Sequence, residues 1–445
     1  MKFITNILAK TKGMFTVSFL DSIYKLLIFG DLWRVAFPFV MKRYVRKSRR
    51  LQQKTVAELK NKKQITVAFF LQTPTTWKYD KIYRRMEQSE RFLPVVVACP
   101  YNMHLNYSKT ECLNVLQKTE EFAAAQGYNY ISAFDHEQNK WLNVRKKINP
   151  DIVFFTKPYK DTLPDYYIYK FRDKITCYSG YGICNVNIYR LNYNLPLNNL
   201  LYHFFVESDL HLKIAQQYSD VKGENALITG SPAAEPLIDG HAPKDVWKPQ
   251  NKEKKRIIWA PHHTIDYLFN FSNFLIYCDF MLALAKKYED SIQFVFKPHP
   301  VLKFKLINLW GEAKTNEYYE KWRNLPNTQI EEGYYIDLFL SSDAMIHDCA
   351  SFTSEYLHTL KPVCFTVREE ENVRRQWNPF GMQAFELHYH AYNEQDIENF
   401  IENVVLGGND TKATDRKTFF ENYLYPKDGI MPSEKIFKIL ENEVT

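Results

Sequence analysis

The chain has 445 residues, a formal charge of +7, 45% hydrophobic and 24% charged residues, a composition that excludes a disordered chain and fits a soluble globular protein of two or three domains. Fourteen glycines are less than half the usual share of about 7%. Neither G-x-G-x-x-G nor G-x-x-x-x-G-K occurs: Gly180 and Gly182 begin the first pattern but Asn185 fills its third glycine position, so dinucleotide oxidoreductases and P-loop NTPases fall away.

Residues 13–41 mix apolar runs such as GMFTVSFL and LWRVAFPFVM with Asp21, Lys25, Asp31 and Arg34. No uncharged run approaches the roughly 18 residues of a spanning helix, and charges inside any h-region argue against a secretory signal. Between Lys42 and Lys63 stand ten Lys/Arg and one acid, Glu58, a local +9 that leaves −2 for the rest of the chain. Residues 1–63 therefore read as an amphipathic, basic segment. Lying on an anionic cytoplasmic membrane face is one reading; a helical arm packed on its own domain with a solvated basic face is the other. Because the remainder is nearly neutral and carries no aromatic stacking platform, nucleic acid is not expected as a partner.

From residue 64 short apolar strands alternate with helical periods. Strands are expected at 65–71, 94–99, 151–155, 175–178, 200–206 and 226–229, with helices over 77–89, 108–126 and 140–148. Continuously apolar runs such as ITVAFFL and DIVFFT suit parallel strands covered on both faces. Residues 64–230 thus read as a doubly wound α/β domain. The proline-rich, charged stretch 231–255 reads as a linker. A second alternation fills 256–445: strands at 256–261, 292–300, 344–348 and 361–365, helices over 272–288, 302–323 and 351–360, and a last helix at 433–443 that could close either domain. The fold class is α/β, with two Rossmann-like domains facing a cleft bordered by strand carboxyl ends.

Seven cysteines (99, 112, 177, 184, 278, 349, 364) form no C-x-x-C pair and read as buried thiols in a reducing compartment, with no metal cage. Three strand ends of the second half carry polar residues. WAPHHTI presents His262, His263 and Thr264; FVFKPHP presents Lys297 and His299; AMIHDCASFTSEYL presents Asp348, Ser351, Thr353 and Glu355. Hydroxyls beside the free N–H groups of a helix start form an anion site without glycine, and Glu355 one turn on could accept from a ribose diol. Each residue also has a plain structural reading, as a helix start or a satisfied strand-end histidine; together, at the ends of one sheet, they point to a site.

GSPAAEPL (230–237), WAPHHTI (259–265), FKPHP (296–300) and DLFLSSDAMIHDCASFTSEYL (337–357), in this order, resemble the bacterial CDP-glycerol glycerophosphotransferase family of teichoic-acid-type polymerases and primases. The resemblance implies a glycosyltransferase B-type fold, a donor held by the C-terminal domain, and peripheral attachment to the cytoplasmic face of the cell membrane. Carried over by position, it implies His299 at the donor diphosphate, Ser351 on phosphate with Asp348 organising its loop, Thr353 as a further hydroxyl and Glu355 at the ribose.

Two departures from the family pattern matter. Family members usually carry Pro-Thr-Trp-Arg where this chain has Pro261-His262-His263-Thr264. Many carry Trp-His-Gly in the first domain, with a histidine placed to deprotonate the acceptor; the stretch here is Tyr178-Ser179-Gly180-Tyr181-Gly182. Ser179, Gly180 and Tyr181 are the acceptor-side candidates, Gly180 and Gly182 marking either backbone close to a ligand or a tight turn. His263 is the candidate base. The expected reaction is transfer of glycerol phosphate or a related alditol phosphate from a CDP-alcohol to a hydroxyl of a lipid-linked cell-surface glycan, releasing CMP, with no cofactor or obligatory metal. The alternatives are a nucleotide-sugar-dependent glycosyltransferase of the same fold and a non-catalytic membrane-bound glycan-binding scaffold.

Overall fold

The apolar runs of the first half assemble into one parallel sheet. The structure, a computed structural model, describes residues 33–102, 107–265, 271–333 and 335–445, with side chains from Lys42 onward. The strands β1 (Ile65–Leu71), β2 (Phe92–Ala98), β3 (Tyr130–Ser132), β4 (Ile152–Phe155), β5 (Ile175–Ser179), β6 (His203–Val206) and β7 (Ala226–Ile228) lie in the order β3-β2-β1-β4-β5-β6-β7. At the centre Ile65 pairs with Phe92 and Val67 with Ile152. Alternate residues of β1 feed two cores: Ala68 and Phe70 on one face, Ile65, Val67, Phe69 and Leu71 on the other. Burial on both faces is why the run is apolar without alternation.

The second sheet repeats the plan. Its strands β8 (Lys255–Ala260), β9 (Ile292–Phe296), β10 (Thr328–Ile330), β11 (Ala344–His347), β12 (Val363–Thr366) and β13 (Tyr389–Ala391) run parallel in the order β10-β9-β8-β11-β12-β13. Both sheets therefore share the doubly wound order 3-2-1-4-5-6, whose crevice lies beyond the strand carboxyl ends on either side of the first strand. Together they make a glycosyltransferase B-type pair of Rossmann-like domains.

Several elements differ from the sequence reading. The helix expected over 140–148 is a short strand, Lys140–Trp141, paired with Phe134–Asp135, followed by one helical turn at Val144–Lys147. Its basic and polar residues match a helical period but supply too few apolar positions to cover the sheet. The short edge strands β3, β10 and β13 escaped notice, since three residues make no periodic signal. Gly311, at φ +83°, splits the stretch 302–323 into Pro300–Trp310 and Glu312–Asn324. The last helix, Pro432–Val444, left open between the domains by its sequence, packs on the first: Ile436, Leu440 and Val444 join the β1 core.

The basic segment forms helix α1 (Trp33–Lys60). Val45, Ser48, Gln52 and Leu59, spaced three, four and seven residues apart, are buried against the first domain. Gln52 Nε2 donates to the Leu200 carbonyl (3.2 Å) and Arg49 Nη1 to that of Leu201 (2.6 Å). Lys42, Arg43, Arg46, Lys47, Arg50 and Lys54 stay exposed, so packed arm and basic face coexist on opposite sides of one helix. Of the apolar stretch 13–41, residues 13–32 lie outside the described residues and the rest begins α1. No helix among those described is long and apolar enough to cross a membrane.

Candidate active site

Three adjacent strand exits of the second sheet converge. Beyond β8, Pro261 turns the chain, and its carbonyl accepts from the His299 amide beyond β9 at 3.1 Å, tying the two exits together. The imidazoles of His262, His263 and His299 pack, tilted or edge-on, into one group, with ring centroids 4.3 Å (262–263), 4.2 Å (263–299) and 5.1 Å (262–299) apart. Burial, reinforced by the neighbouring imidazoles, pushes the His262 pKa well below the ordinary histidine range and that of His299 down to about 3. His262 and His299 are thus neutral near pH 7, and all three rings remain partly open to solvent.

From the third exit, Asp348 reaches under this group. Its two oxygens accept from the backbone amides of His262 (2.5 Å) and Asn273 (2.6 Å). Only 2% exposed, its carboxyl is raised by burial to about 7; it organises the loop from below and is not a surface of the cleft. Thr264 and Thr353 are likewise used internally. Thr264 Oγ1 bonds His262 Nδ1 (3.0 Å) and accepts from the Phe271 amide, and Thr353 Oγ1 donates to the Cys349 carbonyl (3.0 Å). Lys297 is buried, its ammonium on the Gly333 carbonyl at 3.1 Å. Ser351, by contrast, is exposed, at the start of the turn Phe352–Glu355.

By distance alone the three imidazoles could hold a metal ion, since one nitrogen of each lies within 4.8 Å of the others. The tautomer of His299 opposes this. Its Nδ1 accepts the Val301 amide hydrogen at 3.2 Å, so the neutral ring carries its proton on Nε2 and presents a donor, suited to an anion and not to a cation.

The facing wall comes from the first sheet, and here the glycines acquire their reason. A Cβ on Gly182 would stand 2.9 Å from Glu355 Oε1 and 3.8 Å from the Ser351 Cβ, and one on Gly180 would meet Glu207 Oε1 at 2.7 Å. Neither residue has a positive φ; they are glycine because side chains of both domains press on this loop. Glu355, 3% exposed, accepts from the Tyr335 hydroxyl (2.8 Å), and burial raises its pKa to about 7. Ser179 is buried with no bond to its hydroxyl, while Tyr181 is 40% exposed with its hydroxyl 3.5 Å from that of Tyr159. The structure thus brings His262, His263 and His299 together, and sets Ser351 and Glu355 against the Gly180–Gly182 loop.

Sequence reasoning missed the strap between the domains. Asn185 Nδ2 donates to the carbonyls of Ala350 (2.7 Å) and Ser351 (3.2 Å), which holds the Ser351 loop from the first domain. Asn378 Nδ2 donates back to the Cys184 carbonyl (2.6 Å), and Val186 bridges Trp377. Gly381 permits this approach, since a Cβ there would lie 2.2 Å from the Asn185 oxygen. The available signal was Asn185 itself, in the third place of the broken glycine pattern. Also missed was the exit Thr156-Lys157-Pro158-Tyr159-Lys160 after β4, which repeats the Lys-Pro of Lys297-Pro298.

Solved structures of similar fold include a variant of the wall teichoic acid polymerase TagF (13% identity, 92% of this chain and 97% of that chain covered, TM-score 0.55). Others are a putative UDP-N-acetylglucosamine 2-epimerase from Listeria monocytogenes (15%, 85% and 96%, 0.52) and S. aureus MnaA with UDP (14%, 84% and 95%, 0.52). At these identities the likeness is one of fold. No curated protein sequence matches the chain. The family model of CDP-glycerol:poly(glycerophosphate) glycerophosphotransferases matches residues 190–442, more than half of the chain and all of the strand exits of the second sheet, and the protein belongs to that family of transferases.

Proposed function

We propose that the protein transfers glycerol phosphate, or a related alditol phosphate, from a CDP-alcohol to a hydroxyl of a lipid-linked surface glycan and releases CMP. The observation that carries this reading is the imidazole group of His262, His263 and His299 at the same strand exits that lead to the exposed Ser351. The Nε2–H of neutral His299, with the other two imidazoles and the Ser351 hydroxyl, suits a diphosphate in a glycine-poor protein. In this reading the histidine pair stands where the family has an arginine, and Asp348 sets the loop on which His262 rides. Glu355 lies deeper, between Tyr335 and the Gly182 backbone, in reach of a ribose at the mouth of the cleft. In-line attack at the phosphorus bearing the glycerol needs positioning and charge stabilisation above all.

The +9 segment supports attachment to an anionic membrane surface, where a lipid-linked acceptor would reside, through the exposed row from Lys42 to Lys54. The test is incubation with CDP-glycerol and a panel of nucleotide sugars in the presence of acceptor. CMP release with CDP-glycerol is expected. Release of UDP or GDP from a nucleotide sugar without CMP would replace this reading with a glycosyltransferase of the same fold.

A further inference from the structure

The first domain lacks the strand-end histidine of its family, yet it buries a lysine at that place. Lys78 leaves the loop after β1, is 6% exposed, and makes no ion pair among the described residues. Its Nζ donates to the Thr156 carbonyl beyond β4 at 2.7 Å. It also lies over two rings, 4.7 Å from the centroid of Tyr79 and 5.2 Å from that of Tyr178. The amine thus sits across the carboxyl ends of the three central strands β1, β4 and β5, where a doubly wound domain builds its site. Tyr79 fixes this arrangement, donating to the Phe155 carbonyl (2.9 Å) and accepting from the Ser179 amide (2.9 Å). Ser179, with its unbonded buried hydroxyl, occupies the position of the family's histidine, and the loop it begins presses on Ser351 and Glu355.

A buried amine without a counter-ion has two stable uses: to stay neutral, or to receive a charge that its surroundings can hold. Both are provided. Burial alone holds the Lys78 ammonium well below the ordinary lysine range. The ionisable groups against it, the Tyr79 and Tyr178 hydroxyls, are pushed up by burial and remain uncharged. The nearest carboxylate influence on that pair is Glu207, acting on Tyr178. Once protonated, the amine has a carbonyl and two ring faces to stabilise it. His263, by contrast, would take a proton beside two other imidazoles.

Resting on the transfer proposed above, we infer that the neutral amine of Lys78 is the proton acceptor for the attacking hydroxyl. The acceptor oxygen bonds to the phosphorus bearing the glycerol and its hydrogen passes to Lys78 Nζ. The phosphoanhydride bond breaks with its electron pair on the departing CMP, which leaves as the dianion, and the ammonium later returns its proton to water.

The full-length protein tests this in two independent ways. With acceptor and CDP-glycerol, Lys78→Met lowers kcat by about 10²–10⁴-fold while the donor KM and the melting temperature hold. Added primary amines restore turnover to Lys78→Ala, more so as their basicity rises. A kcat within threefold of wild type, donor binding lost together with kcat, or no amine rescue would each overturn the role. The second measurement needs no substrate: in protein labelled with ¹³C at the lysine ε carbon, the resonance absent from Lys78→Arg should report a neutral amine at pH 7.5. A protonated Lys78 there overturns the inference even where CDP-glycerol proves to be the wrong donor. A neutral Lys78 in a protein that ignores CDP-glycerol upholds the free base and rejects only the transfer reading.

Discussion

The two sheets share one strand order and differ in what they hang on it. At the exits of β8 and β9 stand three imidazoles with ring centres 4.2–5.1 Å apart, and beyond β11 the Ser351 hydroxyl. At the exits of β1, β4 and β5 stand lysines and tyrosines: Lys78 between two rings, Lys157 with Asp161 (3.1 Å) and over Tyr101 (4.3 Å), and Tyr159 beside Tyr181. Duplicate architecture therefore says nothing about which side takes which substrate. The exit residues differ in kind, imidazoles and a hydroxyl on one wall and amines and phenols on the other, and under the proposed transfer they would serve different steps.

The sharpest break of this comparison is a swap of walls. His299→Ala should lower kcat/KM about 10²–10³-fold and abolish thermal stabilisation by CDP-glycerol. Lys157→Ala should leave that stabilisation intact and raise the KM for acceptor. Equal loss of nucleotide stabilisation in both variants would end the division of labour between the sheets.

Within the second-sheet wall, carboxyls and imidazole titrate in opposite senses. Glu355 is raised from 4.5 to about 7, so the folded protein keeps a proton that the unfolded chain releases. Stability then falls as pH rises from about 4.5 to 7, by about 3 kcal/mol at 1.36 kcal/mol per unit. Asp348, raised to about 7, adds a slope of the same sign. Glu355→Gln should remove its share, visible as a smaller difference between urea midpoints at pH 5 and pH 8. His299, depressed to about 3, acts the other way: its stability is complete above pH 6.5 and is lost as pH falls toward 3. An unchanged pH 5 to 8 difference in Glu355→Gln would mean that the carboxyl is not buried at the domain junction.

The strap makes the walls one unit. Gly381→Ala places a methyl 2.2 Å from the Asn185 oxygen and should cost about 1–3 kcal/mol, with a raised donor KM because Asn185 then releases the Ser351 loop. A melting temperature equal to wild type would show that the strap is dispensable. Smallest is the effect outside the cleft. Arg46→Gln, on the exposed face of α1, should weaken binding to phosphatidylserine-containing vesicles by about 1 kcal/mol, roughly fivefold, with donor turnover in solution unchanged. Equal binding to anionic and neutral vesicles would confine α1 to its packing role.

Much of this protein is legible in its sequence. Strand β1 appears at its exact residues, 65–71, because a strand covered on both faces must be apolar at every position. The exits of the second sheet were legible because Pro261 and Pro298 punctuate strand ends and set polar residues just beyond them. What one dimension does not contain is the partner of each residue. Asn185 looked like a missing glycine until it met Ala350 and Ser351, 165 and 166 positions away. Gly182 read as either backbone close to a ligand or a tight turn; the structure sets Glu355 beside it. Lys78 drew no attention, since an isolated lysine in a loop is ordinary; its significance comes from burial by Tyr79 and Tyr178, and Tyr178 lies 100 residues further on. Composition and period determined two α/β domains and a basic arm. Only the tertiary structure decided which polar groups are neutral and which face one another, because both depend on desolvation and contact between strands distant in the chain.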